Sequence, residues 1–498
     1  MRTKSVAKTF VYGVVLTTVI AFLGLYKTKI LLQYLGEDNV GIYQLFYQIF
    51  LYLSLIDGGL TAGITYSLYK PVNDNNYNKV NGIIAGARSY FNKVGLIIIA
   101  IGIFLSFNIM FFIKSTELNS VYVQIAFIIF IIASSTSYFI SSHAILYEAE
   151  QKLYKSSNIN HVMTIIKTIL EIILAMMGFK LVTLLLMFLL LTIIRNVTIT
   201  IISRRDHKFL NYKTKKDYSF KKELNNLIVR KISFLIFDNT DILIISKFLG
   251  LMSVVIYTVY FQIINMITLI IKRLNSALLA SVGNLLVSDR NKIGPVFNEI
   301  NSMLFFIASV ICVPIYFMLS PFIEIWFGER YTAPNHVLLL FSILLYVNII
   351  KIVLEVFVDA AGKFKSVKVA SIYQSILNVV LSLLLIKRFE IAGVLFATII
   401  AFMIGTFIIY PKIIYHEILY TKVKKYYLKC FKLILGLIPN TLIIYMLFNG
   451  MINSNLLNWF FNGIAIFILN LILTIGYYYI TKELLFFQRF KYIVKHNK

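Results

Sequence analysis

Charged side chains recur inside the long apolar runs of this chain. A charge at the centre of a bilayer is costly, so such a residue usually faces a hydrated cavity or a partner of opposite charge. The set contains both signs: Lys27, Lys29, Asp57, Lys167, Glu171, Arg195, Asp238, Asp241, Lys272, Arg273, Lys351, Glu355 and Asp359. Its seven cations are suited to an anionic substrate such as a phosphate ester, because lysine supplies a mobile charge and arginine a bidentate fork.

Two of these lysines have a carboxylate at helical spacing. Lys167 and Glu171 are four residues apart, and so are Lys351 and Glu355. Side chains at this spacing meet on one face of a helix, so each carboxylate can neutralise its neighbour. For both lysines there are two interpretations, structural pairing with the carboxylate and contact with the substrate.

The other five cations divide by position. Lys272 and Arg273 lie near the inner end of their apolar run, where they either extend to lipid headgroups or line a cavity. Lys27, Lys29 and Arg195 have no acidic residue at helical spacing on their own helix. We therefore expect these three to be the foremost substrate-binding cations of a cavity.

The carboxylates are candidates for ion coupling or gating, because a carboxylate inside the membrane can bind Na⁺ or a proton. They are Asp57, Asp238, Asp241, Glu171, Glu355 and Asp359. For the first three, capping of a helix end or a salt bridge is the alternative interpretation. The six histidines are scattered and form no zinc-binding motif, so we expect no metal and no cofactor besides a coupling ion.

The elements that must position these charges are membrane helices. Hydrophobic residues make up 59% of the 498 residues and charged residues 14%, and the apolar residues form long runs. A run of about 20 apolar residues is long enough to cross a bilayer as a helix. The sequence predicts an all-α polytopic membrane protein of fourteen spans, near 9–34, 41–69, 90–113, 121–146, 157–178, 181–203, 228–249, 251–283, 300–327, 335–361, 364–386, 391–411, 428–449 and 456–480.

The loops carry a strong charge bias. Most of the 48 lysines and arginines fall in alternate loops, and the positive-inside rule then places both termini in the cytoplasm. The net charge of +26 does not indicate nucleic-acid binding, since no segment outside the spans is long enough for such a domain. The longest loop, 204–227, is basic, and we expect its end to lie on anionic lipids of the inner leaflet; a regulatory site for a partner is the alternative.

A weak internal repeat relates the two halves of the chain. ILLQYLGEDNVGIYQLFYQI (30–49) aligns without gaps to IISKFLGLMSVVIYTVYFQI (244–263), with six predicted spans between the copies. Parallel repeats of this kind build transporters with the substrate between two lobes. We predict a six-helix lobe at 1–215, a second at 216–425, and two further helices with a basic tail at 426–498.

The repeat also relates individual charges. Under this alignment Lys27 corresponds to Asp241, so equivalent positions of the two lobes carry opposite charges. One hypothesis is an ion pair between the lobes that closes a gate.

Three segments resemble a known family. They are GEDNVGIYQLFYQIFLYLSLIDGGLTAGITYSLYK (36–70), KISFLIFDNTDILIISKFLG (231–250) and IEIWFGERYTAPN (323–335). Each is similar to segments of the polysaccharide transporters, the O-antigen, capsule and teichoic-acid flippases of the multidrug/oligosaccharidyl-lipid/polysaccharide exporter superfamily. The resemblance implies alternating access by two lobes, outward transport of an undecaprenyl-diphosphate-linked sugar unit, and a cation-lined central cavity.

Other classes fit less well. A multidrug cation antiporter of the same superfamily is the main alternative, although such a protein more often has twelve spans and an acidic cavity. An enzyme of glycan polymerisation is a remote alternative, because the outer loops are short and no nucleotide-binding glycine loop is present. We expect a multi-pass monomer of the bacterial cell membrane, not an enzyme, whose partners are the lipid-linked glycan, anionic lipids and a polysaccharide polymerase.

Overall fold

The computed structural model describes residues 2–57, 60–220, 237, 239–451 and 455–484. Every regular element in these ranges is helical, so the predicted all-α class is confirmed. The α-helices are α1 (Arg2–Leu53), α2 (Leu60–Asn73), α3 (Tyr77–Ser106), α4 (Ser120–Ser135), α5 (Ser141–Ala149), α6 (Tyr154–Met176), α7 (Leu181–Asp206), α8 (239–248), α9 (Leu251–Ser288), α10 (Ile293–Phe327), α11 (Asn335–Ala360), α12 (Phe364–Phe402), α13 (Ile409–Ile413), α14 (Lys424–Leu435), α15 (Leu437–Phe448) and α16 (Leu456–Ile480).

Eleven helical stretches in the described residues are long and apolar enough to cross a membrane. Two of them each contain two predicted spans, because the stretch Thr18–Asp57 turns at Gly36 and the stretch Ser366–Ile418 turns at Glu390. Both turning residues have left-handed backbone, with φ of 80° at Gly36 and 50° at Glu390. The predicted span 228–249 falls largely outside the described residues, and only 239–248 is seen as helix.

The chain forms two compact units, residues 1–255 and 256–498. The lobes predicted at 1–215 and 216–425 come from a sequence repeat, and they stay a prediction. In the first unit, α8 is hydrogen-bonded to its neighbours, since the Ser246 hydroxyl donates to the Phe112 carbonyl at 2.8 Å.

The core of the first unit is built from aromatic and branched side chains of α1, α3 and α4. The Phe46 ring centroid lies 5.0 Å from that of Phe127 and 5.9 Å from that of Phe130. The first part of the long basic loop also packs here, with Phe220 fully buried. A Cβ on Gly86 of α3 would lie 2.2 Å from the Asp217 carbonyl oxygen, so only glycine permits this close approach.

In the second unit the last helix, α16, forms hydrogen bonds with α10 next to Pro314. Pro314 has no N–H, so the Val310 carbonyl lacks its usual partner in the helix. The side-chain amide of Asn470 on α16 donates to Val310 O at 3.1 Å and to Ser309 O at 3.0 Å. Nearer the other end, the Trp459 indole donates to the Met318 carbonyl at 2.9 Å. Buried polar side chains thus fix α16 against α10.

Candidate functional site: a lysine–glutamate cluster in the first unit

Three of the predicted charges meet in one cluster between α1 and α6. Lys27 Nζ lies 3.2 Å from Glu171 Oε2, and Lys167 Nζ lies 3.7 Å from Glu171 Oε1. The Tyr43 hydroxyl donates to Glu171 Oε1 at 3.2 Å and accepts from Lys167 Nζ at 3.4 Å. We call these four residues the Glu171 cluster.

The turn at Gly36 makes this arrangement possible. Lys27 and Tyr43 both belong to α1 but lie on opposite sides of the turn. A straight helix would separate residues 16 positions apart by about 24 Å, at 1.5 Å of rise per residue. Glycine adopts a positive φ readily, so the chain can turn and present both side chains to Glu171.

The Glu171 cluster carries a surplus positive charge. Two lysines share one carboxylate, and the Glu171 side chain is only 3% exposed while those of Lys27 and Lys167 are 18% and 21% exposed. The ammonium of Lys27 also lies 5.3 Å from the Tyr43 ring centroid, and that of Lys167 lies 4.3 Å from the Phe188 ring centroid. Aromatic faces stabilise such cations without neutralising them.

Helical spacing did not reveal the partner of Lys27. That partner is Glu171 on another helix, within the same compact unit. The ion pair between Lys27 and Asp241 that the repeat suggests stays a hypothesis. Sequence reasoning also missed Tyr43, although Tyr43 and Tyr257 are an identical pair in the internal repeat.

Arg195 is held at a break between helices. Residues Thr136–Ile140 form a 3₁₀ segment between α4 and α5, and Arg195 Nη2 donates to Ser137 Oγ at 2.8 Å. The same nitrogen donates to Asn196 Oδ1 at 3.1 Å, while Asn196 Nδ2 donates to the Thr136 carbonyl at 2.9 Å. Among the described residues the guanidinium thus binds neutral acceptors and no carboxylate.

The second unit contains the other ion pair that the spacing predicts. Lys351 Nζ lies 3.6 Å from Glu355 Oε1 and 4.3 Å from the Phe402 ring centroid. The Lys351 side chain is 5% exposed and that of Glu355 is 27% exposed.

The remaining predicted residues lie at other positions along the described helices. Lys29 is half-buried on α1, Lys272 is exposed on α9, and Asp241 is buried on α8. Asp57 ends a short 3₁₀ segment after α1, and Asp359 lies in the last turn of α11; both are half-buried. Asp238 and the side chain of Arg273 lie outside the described residues. Within the described part of the chain, no group of three His, Cys, Asp or Glu residues could hold a metal.

Comparison with known proteins agrees with this architecture. A family model described as "Polysaccharide biosynthesis protein" matches residues 88–336, which is half of the chain. No significant match was found among curated proteins.

Among solved structures, the lipid II flippase MurJ in an inward closed conformation matches with a TM-score of 0.72 and 18% identity, over 93% of this chain and 98% of that one. An inward-facing multidrug resistance MATE transporter of the MOP superfamily matches with a TM-score of 0.63 and 13% identity, over 80% and 96% of the two chains. These matches show a shared fold. The eleven helical stretches that are long and apolar enough to cross a membrane agree with the predicted multi-pass membrane protein. The family itself is shown by the family model, which matches half of the chain. The chain therefore belongs to the polysaccharide biosynthesis protein family.

Proposed function

We propose that this protein is a flippase, which moves an undecaprenyl-diphosphate-linked polysaccharide unit from the inner to the outer leaflet by alternating access. The observation that carries the proposal is the surplus positive charge of the Glu171 cluster inside membrane helices. When a diphosphate moves through a membrane, cationic or polar groups must take the place of its hydration water. An unpaired charge is strongly disfavoured in an apolar medium.

The Glu171 cluster can supply that replacement. The buried carboxylate holds two ammonium groups close together, so a second anion would meet a cationic pair whose orientation is already set. Lys167 is the more available of the two, since it lies 3.7 Å from Glu171 whereas Lys27 lies 3.2 Å from it. Arg195, which binds only neutral acceptors among the described residues, provides a further cation on α7.

The MATE-like fold keeps a multidrug cation antiporter as the alternative. A cationic drug requires a carboxylate that is free to accept it. Glu171 is instead covered by two lysines, which would repel a second cation. The Glu171 cluster therefore favours an anionic substrate. We also propose that transport is coupled to Na⁺ or protons at Asp57, Asp241 or another membrane carboxylate. The protein is proposed to be a transporter and not an enzyme.

Deletion of the gene and analysis of lipid-linked intermediates test the function. We expect undecaprenyl-linked glycan to accumulate on the inner face and to be cleared by the wild-type protein. The Lys27→Gln/Lys167→Gln variant should reduce export at least about tenfold, a loss of about 1.4 kcal/mol in transition-state stabilisation. Unchanged glycan together with altered drug sensitivity would favour the antiporter.

Two variants control for folding and for charge in general. Lys180→Gln removes an exposed lysine just before α7 and should export normally. The triple variant Lys27→Gln/Lys167→Gln/Glu171→Gln leaves no uncompensated buried carboxylate, so it should be as abundant as wild type. If that neutral cluster exported glycan at the wild-type rate, the role given to the lysines would be wrong.

A further inference from the structure

A cavity lies within the first unit, at the end where α2, α5 and α7 finish. Its volume is about 1100 Å³, and its walls include Tyr69, Asn73, Tyr77, Glu150, Gln151 and Phe209. We call it the loop-end pocket. The loops around it belong to the set that the charge bias assigns to the cytoplasm. Pockets of several hundred Å³ with a few convergent polar groups are typical of small-molecule sites.

One wall of the loop-end pocket is aromatic. Tyr69 and Tyr77 are 49% and 47% exposed, so their ring faces are partly open to a ligand. The Tyr77 ring centroid lies 4.3 Å from that of Phe209, with 35° between the ring planes, and this contact supports the ring from behind. A half-exposed, supported ring offers an apolar face beside a polar hydroxyl.

The rim of the pocket consists of side-chain amides. Asn73, Asn75 and Gln151 all line it, and within the described residues their side chains form no hydrogen bonds to the protein. Asn75 and Gln151 have left-handed backbone, with φ of 52° and 61°. Each amide offers two donor hydrogens and an acceptor oxygen, so the rim can bind several hydroxyl groups at once.

The carboxylates of the pocket are already engaged. Glu150 lies 3.0 Å from Lys152 Nζ and 3.1 Å from His207 Nε2. Asp206 lies 2.6 Å from Lys155 Nζ and accepts from the Tyr147 hydroxyl at 2.9 Å.

His207 is fixed from both sides. Its Nδ1 is 2.9 Å from the Ser203 carbonyl oxygen, which can only accept, so Nδ1 carries a hydrogen. Nε2 then faces Glu150 Oε1 at 3.1 Å. These carboxylates are thus engaged by their own partners, whereas the exposed Lys70 also lines the pocket and pairs with neither of them. Competition by inorganic phosphate must therefore distinguish a sugar from an anion as the ligand.

We propose that the loop-end pocket binds the sugar portion of the lipid-linked glycan before translocation. A pyranose ring has an apolar C–H face, which suits Tyr69 and Tyr77, and a rim of hydroxyl groups, which suits the amides. The proposal rests on the proposed function, because that function places the substrate at the same face. In this proposal the loop-end pocket of the first unit binds the sugar, and the Glu171 cluster binds the diphosphate.

Direct binding tests the proposal independently of transport. The probe is the pool of oligosaccharides that mild acid releases from the lipid-linked intermediates of the same organism. Saturation-transfer-difference NMR with the purified full-length protein in detergent should show transfer to the sugar protons. The Tyr77→Ala variant and the Asn73→Ala/Gln151→Ala variant should each raise the Kd at least about tenfold, whereas Tyr34→Ala, at a 45% exposed tyrosine outside the pocket, should bind as wild type does.

The contrary outcomes distinguish a failure of this site from a failure of the proposed function. Absence of transfer to the wild-type protein would show that the pocket is not a sugar site, and so would equal binding by both pocket variants. Displacement of the sugars by inorganic phosphate would assign the pocket to an anion instead. Glycan export by a wild type that binds no free sugar would refute this site alone. Sugar binding without any export defect in the deletion strain would refute the proposed function alone.

Discussion

Lys27 and Glu171 form an ion pair, with Nζ 3.2 Å from Oε2, that joins α1 to α6 inside the first unit. Removal of the carboxylate leaves two partly buried lysines without a counter-charge. We expect Glu171→Gln to lower the free energy of unfolding by about 3 kcal/mol, because breaking a buried pair is strongly destabilising. Thermal unfolding of the purified protein in detergent measures the loss.

The two lysines allow a matched comparison. Lys27→Met should destabilise the protein more than Lys167→Met, since Lys27 lies closer to the carboxylate than Lys167, which is 3.7 Å away. Equal melting temperatures for the two variants would contradict the geometry of the Glu171 cluster.

Asn470 and Pro314 provide a test of the joint between α10 and α16. Asn470→Ala leaves the buried Val310 and Ser309 carbonyls without this donor, and we expect a loss of about 1–3 kcal/mol. Pro314→Ala restores a backbone N–H that can bind Val310 O within the helix. The double variant should therefore be more stable than the sum of the single changes by about 1 kcal/mol, and strict additivity would argue against the role of the proline.

Gly86 tests the packing of the segment that follows α7. In Gly86→Ala the new Cβ would meet the Asp217 backbone at 2.2 Å, so the segment must move away from α3. We expect faster tryptic cleavage at Lys213, Lys215 and Lys216, together with a loss of about 1–3 kcal/mol. Gly283→Ala, whose Cβ would meet no atom within 4 Å, is the matched control and should leave cleavage unchanged.

The Arg195→Gln variant distinguishes the effect of the charge at this position from the effect of its hydrogen bonds. In Arg195→Gln the new amide can still donate to Ser137 Oγ but carries no charge. If the guanidinium contacts the substrate, glycan export should fall at least about tenfold. The melting temperature should change by less than about 3 °C, because the neutral hydrogen bonds remain. Full export by a neutral side chain at this position would remove Arg195 from the substrate path.

The hydrophobic pattern of the sequence predicted those features that depend on one helix alone. The apolar runs gave the helical class and placed the turns near Gly36 and Glu390, between predicted spans 9–34 and 41–69 and between 364–386 and 391–411. Spacing of four residues also predicted the pair of Lys167 and Glu171, which forms.

The hydrophobic pattern and the four-residue spacing did not predict contacts between segments that are far apart in the sequence. Lys27 and Glu171 lie on different helices, and nothing in the spacing of either one indicates the other. The loop-end pocket is likewise assembled from three helix ends that are far apart in the sequence. Such positions are decided by how the helices pack, which hydrophobic periodicity does not specify.

The turn at Gly36 has a mechanical consequence. Lys27 before the turn and Tyr43 after it both contact Glu171, so one carboxylate bridges the two arms of α1. Straightening the turn must break at least one of these contacts, and withdrawal of a lysine by another anion must loosen the bridge. By thermodynamic reciprocity, whatever draws Lys27 away from Glu171 makes α1 easier to straighten, and whatever straightens α1 frees the lysine by the same amount of free energy.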